Sequence, residues 1–174
     1  MDDPQHDLPE VVHLLTTAGT PEVQQAAVGK FFAPDAGFNH PLCKVERAPG
    51  SREIILGIYQ WYRILSPTID LHIDSHFYDR DSGTAFVGVT QTFHLWFLPL
   101  PGVPAKLLVR LTLEERAGKH YIIQQEDFYE PEELGYIVLP PLGFTIRMAK
   151  YGASVASNLG AWAVQNTLGW WKPK

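Results

Sequence analysis

The sequence predicts an α+β protein: helices first, antiparallel strands second, then an added hydrophobic C-terminal helical segment. Three observations predict it. Thr, Ser and Pro punctuate three helical-period runs before residue 68, three long alternating runs fill 68 to 130, and the chain after Glu133 loses almost all its charge. A chain of 174 residues, 45% hydrophobic and 19% charged, has enough apolar side chain for a sizeable single core. Residues 1–133 are expected to form that body and residues 134–174 the extension.

The elements follow in order. "LPEVVHLLTTAG" sets Val11, Val12, Leu14 and Leu15 at helical spacing, and "TPEVQQAAVGKFF" opens a second helix with Thr20 as N-cap and Pro21 in the first helical position. "DAGFNHPLCKVE" reads as extended chain, because Pro41 biases His40 away from helix. "SREIILGIYQWYRILSP" reads as a third helix, with Ser51 as cap, Ile54, Ile55, Ile58, Trp61, Tyr62 and Leu65 as its apolar positions, and Pro67 as the stop. The runs 68–79, 84–98 and 105–130 are strands, "DRDSG" makes a tight hairpin between the first two, and "ERAGKH" splits the last.

Composition excludes several functions. The net charge is -5 and the 14 Lys and Arg are scattered, so there is no electrostatic footprint for nucleic acid. Cys43 is the single cysteine and cannot form an internal disulfide, and "MDDPQHDLPE" is acidic where a secretory signal is basic and then apolar. An intracellular, cytosol-facing and membrane-associated protein is expected. The chain has no phosphate loop, nucleotide fingerprint, Ser-His-Asp signature or cysteine nucleophile context, and no cofactor is assigned.

With this element order, "GKFFAPDAGFNHPLC", "IYQWYRILSPTIDL" and "VTQTFHLWFLPL" resemble the nuclear transport factor 2-like superfamily, which includes SnoaL-like polyketide cyclases and ketosteroid isomerases. Within it they look like the fungal SigF-like proteins. Over about residues 8 to 130 the resemblance implies a cone-shaped fold, in which a curved antiparallel sheet wraps the third helix with its concave face. It also implies a membrane connection through the hydrophobic C-terminal segment, and a homodimer through the sheet.

In such a cone, period-2 alternation sorts side chains into inner and outer sets. On 68–79, Ile69, Leu71, Ile73 and Phe77 go inward and Asp70, His72, Asp74 and His76 outward. That outer row reads as a solvated face or a contact surface. Its spacing of roughly 7 Å would suit zinc or copper only if a third element closed over it, so no metal is assigned. The later inward sets are Ala85, Val87, Val89, Gln91, Phe93, Leu95 and Phe97; Ala105, Leu107, Val109, Leu111 and Leu113; and Tyr121, Ile123, Gln125, Asp127 and Tyr129. The polar members converge on one mouth.

The candidate ligand-binding residues are therefore His40, Tyr59, Tyr62, Gln91, Phe93, Tyr121, Gln125 and Tyr129, and the candidate catalytic residue is Asp127. An inward Asp among aromatic rings has its pKa raised by burial. Two functions remain open: a membrane-associated binding module for an apolar or lipid-like small molecule, and a cyclase or isomerase with Asp127 as base. In the second, Tyr59, Tyr62 or Tyr129 would steady the enolate. Against the resemblance, Asn39 and His40 stand where the isomerases present a catalytic Asp. Plainer readings also stand: an exposed cap for Asp127, a structural role for His40, and a core stripe for Tyr59, Trp61 and Tyr62.

Tyr151 to Trp171 carries no charge and "WWKPK" orders Trp before Lys. Met148, Tyr151, Val155, Leu159 and Trp162 share one helical face, and Arg147, Lys150, Lys172 and Lys174 suit anionic head groups. The expected partner is a membrane surface, through residues 140–174. A membrane span and a helix packed on protein remain alternatives.

Overall fold

The computed structural model describes residues 1–97, 101–102 and 104–172. It divides into two compact units, Met1–Glu130 and Pro131–Lys174. The first holds α1 (Pro4–Thr17), α2 (Pro21–Phe31), β1 (Phe32–His40), β2 (Cys43–Val45), α3 (Ser51–Leu65), β3 (Ile69–Asp79), β4 (Thr84–Phe93), β5 (Pro104–Arg116) and β6 (Lys119–Tyr129). The second holds α4 (Pro131–Val138) and α5 (Pro140–Thr167), so the expected 133/134 boundary falls inside α4.

Local chemistry explains most of the helix starts. Asp3 accepts from the Gln5 amide to begin α1, and Thr20 accepts from the Val23 amide with Pro21 behind it. Ser51 is not the cap of α3, contrary to expectation. Gly50 takes that place in a left-handed conformation, at φ 82, which a residue without Cβ adopts freely. Ser51 is instead 2% exposed and donates its hydroxyl to the Ala36 carbonyl of β1 at 2.6 Å, tying helix to sheet. The apolar stripe of α3 is also narrower than predicted. Ile55 and Leu56 are buried, while Ile54 and Trp61 face solvent.

The six strands form one sheet in the order β2-β1-β6-β5-β4-β3. All neighbours are antiparallel except β1 and β6, which run parallel, so the sheet is mixed where a wholly antiparallel one was predicted. No hairpin joins β1 to β6, so nothing in the connectivity forces them antiparallel. β5 and β6 turn through Ala117 and Gly118, both at positive φ, as a two-residue hairpin requires. The inner rows of β4 and β5 are apolar: Ala85, Val87, Val89, Ala105, Leu107, Val109, Leu111 and Leu113 are all buried, as alternation predicted.

Two bulges change the alternation. In β3 the register jumps between Ile73 and Ser75, leaving Asp74 as the extra residue beside Gly88, whose missing Cβ makes room for the Ser75 hydroxyl. Beyond the bulge the faces swap. Phe77, expected inside, is 60% exposed; Tyr78 is buried; and the His76 ring turns back to the Gln5 carbonyl at 3.1 Å. The outer row is thus broken, and among the described residues no group of three His, Cys, Asp or Glu is placed to hold a metal ion. The strand expected over 84–98 ends at Phe93, Phe97 is exposed, and residue 98 lies outside the described residues.

These placements separate two substitutions. Ser51→Ala removes a buried hydrogen bond and strands the Ala36 carbonyl, so it should cost about 1 to 3 kcal/mol in urea unfolding. His72→Gln, on the solvated face, should stay within about 0.5 kcal/mol of the parent.

Candidate functional site

The second bulge builds the site. Between β5 and β6 the register jumps from Thr112 opposite Gln124 to Leu113 opposite Ile122, leaving Ile123 extra. Ile122 is fully buried in the core, and the added residue puts Gln125, Asp127 and Tyr129 on that same inner face. Tyr121, before the bulge, is opposite Glu114 and does not line the cavity, so alternation misplaced it.

The other candidates converge. His40 from β1, Tyr59 and Tyr62 from α3, Gln91 and Phe93 from β4, and Gln125, Asp127 and Tyr129 from β6 all line one cavity of about 60 Å³. Trp61, on the opposite side of α3, does not. Sequence reasoning missed Phe38, Ile69 and Leu71, and also Val12, Leu15 and Thr16 of α1. Their apolar pattern reads as core, and nothing local marks which core residues border a void. A single water needs roughly 10 to 15 Å³, so this cavity is larger than a one-water void. That suits a compact molecule.

Hydrogen bonds organise the polar members into two chains. The Tyr59 hydroxyl donates to Gln125 Oε1 at 2.9 Å, and Gln125 Nε2 donates to Asp127 Oδ1 at 2.9 Å. Across the cavity Gln91 Nε2 donates to the Tyr129 hydroxyl, reaching over β5 where Ala105, opposite Gln91, offers only a methyl group. His40 is a third centre. The Leu42 amide donates to its Nδ1 at 3.2 Å, so that nitrogen is an acceptor and the ring proton sits on Nε2. The Tyr62 hydroxyl lies 3.4 Å from the same Nδ1 and 3.5 Å from Cys43 Sγ. The imidazole is enclosed by rings, with centroids of Tyr129 at 5.3 Å and Tyr62 at 5.6 Å.

Burial sets the protonation states. It pushes the Asp127 carboxyl up to about 7, and the hydrogen bond from Gln125 pulls the other way without winning. It holds His40 down to about 4, so the ring is neutral at physiological pH. Burial raises the hydroxyls of Tyr59, Tyr62 and Tyr129 well above the usual phenol range, keeping them protonated. At neutral pH the only charge the lining can carry is the Asp127 carboxylate.

A family model described as the SigF NTF2-like domain matches residues 1–170. The chain is similar in structure to a hypothetical protein with a ketosteroid isomerase-like fold from Catenulispora acidiphila DSM 44928, solved in complex with trimethylamine. There the identity is 18%, the coverage 72% of this chain and 88% of that one, and the TM-score 0.53. It is also similar to a putative SnoaL-like polyketide cyclase from Jannaschia sp. CCS1, at 14% identity, 76% and 91% coverage and a TM-score of 0.55. A putative polyketide cyclase from Sinorhizobium meliloti matches at 19% identity, 71% and 98% coverage and a TM-score of 0.50. No match was found among the curated proteins. The likenesses to solved structures establish the fold.

The two shifted groups give opposite pH dependences. Asp127 binds its proton more tightly in the folded state, so its contribution is full below about pH 4 and is lost as pH rises to about 7. His40 binds its proton less tightly when folded, so its contribution is full above about 6.5 and is lost as pH falls to about 4. Between those limits the slopes oppose each other. Across pH 4 to 6.5 the contributions of these two groups to stability in urea unfolding should therefore nearly cancel in the parent. Asp127→Asn should gain stability with rising pH, at up to about 1.4 kcal/mol per unit, and His40→Phe should lose it.

Proposed function

The chain belongs to the SigF NTF2-like domain family, and on that premise we propose that it is a binding module for a compact, largely apolar small molecule, held at a membrane surface by residues 140–174. The observation that carries the binding half is the cavity itself. It is closed around by α1, α3 and the inner face of the sheet, walled by aromatic and aliphatic side chains, and polar at few points. A lining made only for stability would not place a carboxyl and three tyrosine hydroxyls around a void.

The membrane half rests on the second unit. α5 runs 28 residues and exposes Phe144, Met148, Tyr151, Val155, Leu159 and Trp162 at steps of three or four, one continuous face. Among the described residues no helix is long and apolar enough to cross a membrane, and a helix lying in the interface is the reading favoured here over one packed on protein. Trp170 and Trp171 are exposed just before Lys172. Each free basic side chain near an anionic surface contributes about 1 kcal/mol. Lys150 is discounted because Glu132 already pairs with it at 2.7 Å, so Arg147 and Lys172 carry this contribution among the described residues; Lys174 lies outside them. Within this unit Gly135 and Gly143 let α4 and α5 approach closely, since a Cβ on Gly135 would meet the Gly143 Cα at 2.8 Å.

A second reading has one observation in its favour: an Asp127 carboxyl near 7, with Tyr129 in the same cavity, is suited to proton abstraction next to a carbonyl. It predicts α-deuteration of a small ketone in D2O, slowed about 100-fold or more by Asp127→Asn.

The primary reading is tested by native mass spectrometry of protein purified from its own source. A bound compact molecule is expected on the parent and on Leu108→Trp, which alters the outer face, and is expected to be absent from Leu71→Trp, which fills the cavity. For the membrane half, full-length protein should float with anionic vesicles and a chain lacking residues 140–174 should not. Equal flotation of the two, or none by either, would remove the membrane assignment.

A further inference from the structure

The cavity has a charge and a wall that together specify more than an apolar ligand. Asp127 is partly buried, and among the described residues no Lys, Arg or His forms an ion pair with it. Its one side-chain partner is neutral, the Gln125 amide at 2.9 Å. A buried carboxylate without a cation is costly, and the cost is recovered when a positive group arrives from outside. Around it stand the rings of Phe38, His40, Tyr59, Tyr62, Phe93 and Tyr129. They form a connected set, with Phe38 to Tyr59 at 6.1 Å, Tyr62 to Phe93 at 6.4 Å and His40 to Tyr129 at 5.3 Å between centroids. Rings of this kind attract alkylated ammonium groups through their quadrupoles, most strongly where water is excluded.

His40 fits the same pattern. It is the one imidazole in the lining, and the Leu42 amide occupies its Nδ1, so it places no positive charge beside the carboxylate that would compete with a cationic ligand. Size narrows the class again, because a cavity of about 60 Å³ suits a compact molecule.

Resting on the reading that the cavity binds a compact molecule, we propose that its ligand is a small organic cation, an alkylammonium whose N–H donates to Asp127 and whose carbons lie against the aromatic wall. The titratable groups facing Asp127 are His40 on β1, Tyr59 and Tyr62 on α3, and Tyr129 on β6; α1, β3, β4 and β5 add none to the lining. None of those four gains or loses charge between pH 5.5 and 8.5. Within the lining, a pH dependence in that window therefore belongs to Asp127, with the Cys43 thiol of β2 the nearest titratable group behind Tyr62.

The test uses the full chain and three probes of nearly one shape: pyrrolidine, which stays cationic throughout, cyclopentanone and cyclopentane. Binding is followed by NMR titration, reading the side-chain amides of Gln91 and Gln125. Pyrrolidine is expected to bind at pH 8.5 at least ten times more tightly than cyclopentanone. It should bind roughly 30-fold more weakly at pH 5.5, the ratio set by one carboxyl titrating near 7. Asp127→Asn should abolish the preference for pyrrolidine while cyclopentane binding persists. Cyclopentanone binding as tightly as pyrrolidine, or pyrrolidine binding that ignores pH, overturns the cation while leaving an occupied cavity and the binding reading intact. Failure of all three probes to shift the cavity amides overturns both. The pH comparison is made on the parent protein, so the decision stands even if the variant fails to fold.

Discussion

One extra residue in β6 decides what the cone contains. Ile122 is locked in the core opposite Leu113, and strict alternation from it would turn Gln124, Glu126 and Phe128 inward. The bulge at Ile123 reverses the phase, so Gln125, Asp127 and Tyr129 face the cavity while Phe128 is half exposed. Glu126, sent outward, pairs with Arg110 of β5 at 3.1 Å. A single inserted residue thus decides which of two adjacent carboxylates goes inside: Glu126 is salt-bridged to Arg110, and Asp127 is held without a cation among aromatic rings.

Burial in that interior makes the difference matter. The same desolvation raises Asp127 and lowers His40, so it favours the neutral form of each and leaves a void with few polar obligations of its own. Gln125 positions the acid: its carbonyl accepts the hydrogen bond from the Tyr59 hydroxyl, which orients its amide nitrogen toward Asp127 Oδ1. Ser51 does comparable work for the frame, because its hydroxyl joins the first turn of α3 to β1 and so holds Tyr59 and Tyr62 over the sheet. Site and scaffold share these bonds.

The second unit follows a different logic. In α5 the apolar side chains are exposed along one face, and its polar residues bond back to its own carbonyls, as Ser154 does to Lys150 and Asn158 to Ser154. Such a helix satisfies its polar groups locally and leaves its apolar face to a surface other than its own backbone.

Much of this was legible in the residues. Thr20 with Pro21, the Pro67 stop, the Ala117–Gly118 turn and the inner rows of β4 and β5 are local signals, because capping, proline geometry and alternation act within a few residues. The polar interruptions at Gln91, Gln125 and Asp127 also stood out against apolar rows, and they do line one cavity. What only the tertiary structure decided were the phases and the neighbours. Phe77 and Tyr121 were misplaced because a bulge depends on the partner strand's register. Ser51 was misread because its acceptor is a carbonyl on β1, and the part played by α1 was invisible because its apolar face looks the same whether it covers a void or a filled core. Pattern within one segment fixes which side chains can be buried; what they are buried against depends on contacts between segments far apart in the chain, and no local periodicity encodes those.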